Sequence, residues 1–147
     1  MIYEKICSKC GQLKQISYFH SSGFNKEGIR QFKSRCKTCV REDKVKNWYK
    51  RIYFDTLRSK RKNLPFNISP EFILNLFKKQ QGKCYWFGVD LIPSINQKDP
   101  QMPTLDRIDL EKGYTKGNVV LACFVANIGR NETSKDRFKQ FADLLRI

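Results

Sequence analysis

Pro103-Thr104-Leu105-Asp106-Arg107-Ile108-Asp109, the turn-rich Leu110-Glu111-Lys112-Gly113-Tyr114-Thr115-Lys116-Gly117-Asn118, the apolar Val119-Val120-Leu121-Ala122 and finally Asn127-Ile128-Gly129-Arg130-Asn131 decide the fold of this chain. The first piece reads as a short strand ending in a carboxylate, the third as a second strand, and the last as the start of a helix. Asn127 and Asn131 stand four apart, so a helix would turn both toward the strand carboxylate, Asp106. A carboxylate oxygen and amide oxygens are hard donors of the kind Mg²⁺ or Mn²⁺ prefers, with water and a substrate phosphate completing the shell. The competing reading of the same residues is a capped turn beside a solvated aspartate.

Working outward, Ser69-Pro70-Glu71 has an N-cap, a proline at the first helical position and a carboxylate in the first turn. The helix it opens has Phe72, Ile73, Leu76 and Phe77 on its buried face and Gly82 as its stop. Cys84 to Leu91 reads as a short hairpin. Thr133-Ser134-Lys135-Asp136 opens a last helix, with Phe138, Phe141, Leu144 and Leu145 toward the core. These segments are scaffold.

Upstream, Cys7-x-x-Cys10 and Cys36-x-x-Cys39 can bring four thiolates to one tetrahedral ion, and Zn²⁺ is the ion that such a set suits. Phe19, Phe24, Ile29 and Phe32 are too few apolar groups to fold this stretch unaided, so metal binding would supply the missing free energy. Redox thiols are the other reading of the pairs. His20, the only histidine, is read as a surface or packing residue. From Val40 to Lys62 no proline or glycine occurs, and Val45, Trp48, Tyr49, Ile52, Tyr53 and Leu57 recur at helical spacing. That predicts one long amphipathic helix. Arg41, Lys44, Lys46, Lys50, Arg51, Arg58 and Arg61 on its other faces are candidate phosphate contacts; a merely solvated charged face is the alternative.

The whole chain of 147 residues has a formal charge of +15. Residues 1–63 hold 17 Lys/Arg against 5 Asp/Glu, whereas residues 64–147 hold 12 against 9. The basic half therefore reads as the grip on a polyanion, nucleic acid first among candidates, with a merely soluble basic protein as the alternative. We expect a zinc module over 1–39, a basic linker helix over 40–63 and a second module over 64–147, an α+β chain overall. No run of about 18 apolar residues occurs, which argues against a membrane span. Met1 to Lys5 lacks a signal-peptide core, and six cysteines without one point to a reducing, cytoplasmic setting.

Gly82-Lys83-Cys84, Leu105-Asp106-Arg107-Ile108-Asp109, Lys112-Gly113-Tyr114-Thr115, Gly117-Asn118-Val119-Val120 and Asn127 together resemble the ββα-metal core of HNH endonucleases, especially the phage-encoded kind. Cys7 to Cys39 and the following basic helix resemble the zinc knuckle that often precedes such a core. The resemblance implies an α+β fold of a four-cysteine zinc module, a long basic helix and an HNH-like core flanked by helices. It implies a metal-dependent DNA endonuclease acting on duplex DNA and nicking one strand, so that double-strand cleavage would need a homodimer or sequential nicks. It makes Asp106 and Asn127 the ligands of the divalent ion, Asn131 a further one, and Asn118 the residue that ties the loop. Arg107 stands where the family carries its proton-accepting histidine, and arginine cannot be a base. The metal's own water, Asp109 or Tyr114 would then serve, with Arg107 holding the phosphate and Arg130 steadying the leaving oxygen. The alternative is an inactive zinc-dependent DNA- or RNA-binding protein. Relatives often carry a second zinc, but Phe87 and Ala126 replace one cysteine of each pair, leaving Cys84 and Cys123, and no zinc is expected there.

Overall fold

Local signals in the sequence translate into eleven short strands and α-helices. The computed structural model describes residues 3–59, 63–131 and 133–144. In chain order these are β1 (Glu4–Ile6), β2 (Leu13–Gln15), β3 (Phe19–Phe24), β4 (Arg30–Cys36), α1 (Lys37–Lys46), α2 (Trp48–Ser59), α3 (Pro70–Lys79), β5 (Pro103–Arg107), β6 (Val119–Cys123), α4 (Phe124–Arg130) and α5 (Lys135–Leu144). The strands form three two-stranded antiparallel sheets, β1–β2, β3–β4 and β5–β6. The chain divides into two compact units, Met1–Lys46 and Asn47–Ile147.

In the first unit, the core is Cys7, Phe19, Cys36 and Cys39, with Phe32 packed against them. Phe24 and Ile29, two of the few large apolar groups of this stretch, are exposed, because the β3–β4 ribbon extends away from the cysteines. His20 is exposed as expected. Arg35 and Lys9 both pair with Asp43 of α1, fastening that helix to the cysteine turns.

The long basic helix of the sequence reading is two helices. Asn47 stands between α1 and α2, and its carbonyl accepts the amides of Lys50 and Arg51 to start the second. The break coincides with the boundary between the compact units. Trp48 and Ile52 of α2 are buried in the second core, and Tyr49 and Tyr53 pack against it. The apolar spacing predicts α2; it does not predict the break before it.

In the second unit, the Ser69 hydroxyl accepts the Phe72 amide at 3.2 Å, the N-cap that the sequence announced. Ile73 is the fully buried residue of α3. Gln80, just beyond α3, donates to and accepts from the backbone of Leu121, at 2.9 Å in each direction. Its side chain thus behaves as one residue of a third strand on the outer edge of β6. The stretch from Cys84 to Leu91 is a tight turn with a single bridge, Lys83 to Asp90, rather than a hairpin with strands. In α5 only Phe138 and Ala142 are buried; Phe141 and Leu144, expected inside, are exposed, and Leu145 lies outside the described residues.

A close approach decides one glycine. A Cβ on Gly113 would lie 1.9 Å from the Pro65 carbonyl oxygen, so no other residue fits without parting the two segments. The neighbouring bridge from Phe66 to Tyr114 and the bond from the Asn67 amide to the Tyr114 carbonyl hold the loop before β6 against residues 65–67. Among the described residues no helix is long and apolar enough to cross a membrane.

Candidate functional site

The cysteine cluster is built by two turns. The first follows β1, where the Gly11 amide returns to the Cys7 carbonyl and Gly11 takes a φ of +69°. The second joins β4 to α1. Together they bring Cys7, Cys10, Cys36 and Cys39 to within 4.8 Å of one another at their sulfurs. A tetrahedral ion with metal–sulfur bonds of about 2.3 Å needs sulfurs roughly 3.8 Å apart, and Cys7 and Cys39 stand at 3.9 Å. The Cys36 amide donates to Cys7 Sγ at 3.2 Å, and this bond is the main reason the Cys7 thiol is lowered to about 5. A thiol held as thiolate by backbone donors is a ready metal ligand. The donor set fits one ion of the zinc type.

The second site grows from the β5–β6 hairpin. Its five-residue register pairs Asp106 with Val120 and Leu105 with Leu121. Strand alternation puts Thr104 and Asp106 on one face, Leu105 and Arg107 on the other. Helix α4 meets the first face. Asn127 donates to Thr104 Oγ1 at 3.1 Å and to the Leu105 carbonyl at 3.2 Å. One turn further on, the Arg130 guanidinium donates to Asp106 Oδ1 at 2.8 Å, to the Arg107 carbonyl and to the Ile108 carbonyl. It also lies 4.7 Å from the centre of the Trp86 ring, whose Nε1 donates to Asp106 Oδ2 at 2.7 Å.

This arrangement corrects the expected role of Arg130 and sets the charge around Asp106. Arg130 is 0% exposed: Nη1 and Nη2 are engaged by Asp106 and the strand-end carbonyls and Nε is buried without a described partner, so the guanidinium is not open to a leaving oxygen. Asp106 is 5% exposed and carries an internal cation. With the Arg107 amide also on Oδ1 at 2.8 Å, three of the roughly four lone-pair positions of the carboxylate are taken. One position on Oδ2 remains, and no described donor takes the Asn127 side-chain oxygen. For a hard divalent ion the donor chemistry of Asp106 and Asn127 fits, and the charge around Asp106 does not. An ion there would share its carboxylate with a buried guanidinium. Asn131, the third expected ligand, is exposed, with φ +41° at the end of α4.

Asn118 ties the loop. It is 7% exposed, donates to the carbonyls of Asp109 and Gly113 at 3.0 and 2.9 Å, and accepts the Asp109 amide at 2.9 Å. Arg107 reaches the Leu110 and Lys112 carbonyls at 2.8 and 3.3 Å and covers the Tyr114 ring at 5.3 Å. Asp109 accepts the Glu111 amide and pairs with Lys112 at 3.2 Å. Lys112 is the main cause of its carboxyl being held below the usual range, which makes Asp109 a weaker base than an ordinary aspartate. Asn127, Thr104, Tyr114, Arg51 and Asp55 line a cleft of about 270 Å³ beside the strand.

The expected phosphate contacts fall on two helices. Arg41, Lys44 and Lys46 are exposed on α1, and Lys50 and Arg58 are exposed on α2. Arg58 pairs with Asp55. Arg51 is turned inward, donating to the Ser94 carbonyl at 2.6 Å and to the Ile95 carbonyl at 3.3 Å, so it fastens the loop before β5. Arg61, with Lys60 and Lys62, lies outside the described residues.

Sequence reasoning missed the Trp86–Asp106–Arg130 cluster. Its signal was a buried-type tryptophan and an arginine one turn beyond Asn127 on α4, legible only once α4 is laid on β5. Cys84 and Cys123 do meet: the Cys123 amide donates to Cys84 Sγ at 3.3 Å, and the Cys123 thiol, hydrogen-bonded to Cys84, lowers that thiol to about 6.

No family model and no curated protein sequence matches the chain. Among solved structures, the rare-cutting HNH restriction endonuclease PacI, described for an extraordinary mechanism of DNA perturbation, is similar to it. The likeness covers 96% of this chain and 92% of that one, at a TM-score of 0.50 and 18% identity. It is a likeness of fold. The chain is a small α+β protein with a four-cysteine cluster, arranged like an HNH endonuclease.

Proposed function

We propose that the chain is a metal-dependent endonuclease of the HNH type that hydrolyses phosphodiester bonds in duplex DNA, one strand at a time. The observation that carries the reading is the β5–β6–α4 arrangement, in which Asp106 lies on β5, Asn118 directly precedes β6 and Asn127 lies on α4. The fold likeness extends over nearly the whole chain, which supports it further. The four cysteines hold a single structural zinc. Asp106 and Asn127 are the residues that would hold a catalytic Mg²⁺ or Mn²⁺; such an ion supplies charge stabilisation to the phosphoryl group and the departing oxygen.

The chain's own residues do the rest. Asn118 fixes the strand end by bonding three backbone groups of its loop. Arg107, permanently charged and only partly buried, would serve the scissile phosphate on leaving the Leu110 and Lys112 carbonyls that now engage it. Arg130 holds Asp106 in place and neutralises its charge. Exposed Arg41, Lys44, Lys46 and Lys50 supply sequence-independent affinity for phosphates.

One observation favours a second reading, a DNA- or RNA-binding protein that does not cut. Arg130 already gives Asp106 the positive charge that a metal would bring. Plasmid nicking with Mg²⁺ or Mn²⁺ separates the two. The nuclease reading expects relaxed circles from the wild type and none from Asp106→Ala or Asn127→Ala, with DNA binding kept in the Asn127 variant. Absence of nicking by zinc-loaded wild type in either metal decides for the binding protein.

A further inference from the structure

We infer that the β3–β4 ribbon of the cysteine unit is a duplex-DNA arm, lying in the major groove with Phe24 and Arg30 as its principal contacts. The inference rests on the DNA-directed reading above and gives it a surface that the basic helices do not provide.

The ribbon has no core of its own. Phe19 and Cys36 at its base are buried, but from His20 to Ser34 only Asn25 and Phe32 are even partly covered. An isolated two-stranded ribbon is marginal in water, and this one begins and ends in the cysteine cluster, which anchors it. Phe24 is 64% exposed and Ile29 60%, large apolar groups with nothing over them. Phe24 pairs across the strands with Arg30, whose guanidinium stands 5.1 Å from the ring centre. The stack holds an aromatic face and a cationic fork side by side before any partner arrives.

Charge selects the partner. Lys26, Arg30 and Lys33 project from the ribbon against Glu27 alone. Among the described residues none of these three cations is in an ion pair, in contrast to Arg35 at the base, which Asp43 neutralises. Apolar tip and free cations together fit a polyanion with apolar edges, which is a nucleic-acid groove. The major groove of duplex DNA, about 12 Å wide, admits a two-stranded ribbon. There, phenylalanine contacts thymine methyl groups, arginine contacts guanine edges or phosphate, and lysine contacts phosphate. The register shifts on either side of Ser21 give the ribbon extra twist, as a strand pair following a groove needs.

The test uses the full chain, a fluorescently labelled duplex and anisotropy across a salt series without added Mg²⁺ or Mn²⁺. Phe24→Ala and Arg30→Gln change solvent-exposed residues, and zinc content per chain reports whether the unit still folds. Phe24→Ala is expected to weaken binding about tenfold or more with an unchanged salt slope. Arg30→Gln is expected to reduce the log–log slope by about 0.9. If both variants bind within twofold of the wild type and with its slope, while the wild type binds and nicks, the arm is overturned and the nuclease reading stands. If the wild type binds no duplex at all, both fall. Should Phe24→Ala lose zinc, Arg30→Gln and Lys33→Gln decide by their slopes.

Discussion

Arg130→Met is the sharpest probe of the second unit. The substitution keeps an apolar stem and removes the guanidinium from Asp106, from the Arg107 and Ile108 carbonyls and from the face of Trp86. Asp106 stays enclosed at 5% exposure, left with the Trp86 indole and the Arg107 amide as donors. Breaking a buried pair from one side costs about 3–5 kcal/mol, because a charge stays inside without its partner. A domain of this size has only about 5–15 kcal/mol in total. Both tryptophans, Trp48 and Trp86, belong to the second unit, so intrinsic fluorescence in urea reports that unit. With an m-value of about 2 kcal/mol/M, the midpoint should fall by roughly 1.5–2.5 M. The double variant Asp106→Asn/Arg130→Met should lose about 1–3 kcal/mol less than the two single losses combined. A midpoint within about 0.3 M of the wild type for Arg130→Met would show that the guanidinium does not hold Asp106, and the reasoning would fail.

Other outcomes follow from the same contacts. Purified chain should hold one zinc, and Cys36→Ser or a strong chelator should unfold the first unit while the tryptophan signal of the second persists; metal analysis with far-UV circular dichroism checks this. Asn118→Ala strips two carbonyls and one amide of their partners and should cost about 1–3 kcal/mol in urea unfolding. Gly113→Ala, forced against Pro65, should destabilise the second unit at least as much, seen in the same fluorescence transition. Asp109 has a depressed pKa in the folded chain, so its contribution is present above the unfolded value of about 4 and fades as pH falls through the lower folded value. Asp109→Asn should therefore differ from the wild type at pH 7 and converge with it as the pH falls below the ordinary carboxylate range in thermal melts.

Much of the fold was legible where a residue's chemistry is local. Ser69 could be read as an N-cap because capping needs only its own hydroxyl and an amide three residues on. The two Cys-x-x-Cys pairs announced their cluster because four soft ligands have one common use. Asn118 was singled out through the HNH resemblance, and its side chain donates to the carbonyls of Asp109 and Gly113. What escaped depends on register between elements. Whether Asn127 or Arg130 sits over Asp106 is a question of one helical turn, and periodicity does not set where α4 slides along β5. The break at Asn47 escaped because no proline or glycine marks it; compact units on either side cut a helix that local propensity would continue. Phe141 and Leu144 followed a helical stripe that the second core does not extend far enough to cover.

Gln80 has a consequence beyond the sheet it borders. A lone two-stranded pair leaves backbone donors and acceptors along each rim, and such rims recruit strands from other molecules. By seating its amide on both polar groups of Leu121, Gln80 closes the middle of the β6 rim, beside the Tyr85 amide on the same carbonyl and Cys84 Sγ on the Cys123 amide. The pair can stay small and keep a face for α4, without inviting a neighbour to lengthen it. A methionine there, alike in bulk and lacking the amide, should leave the chain folded yet prone to self-association on warming.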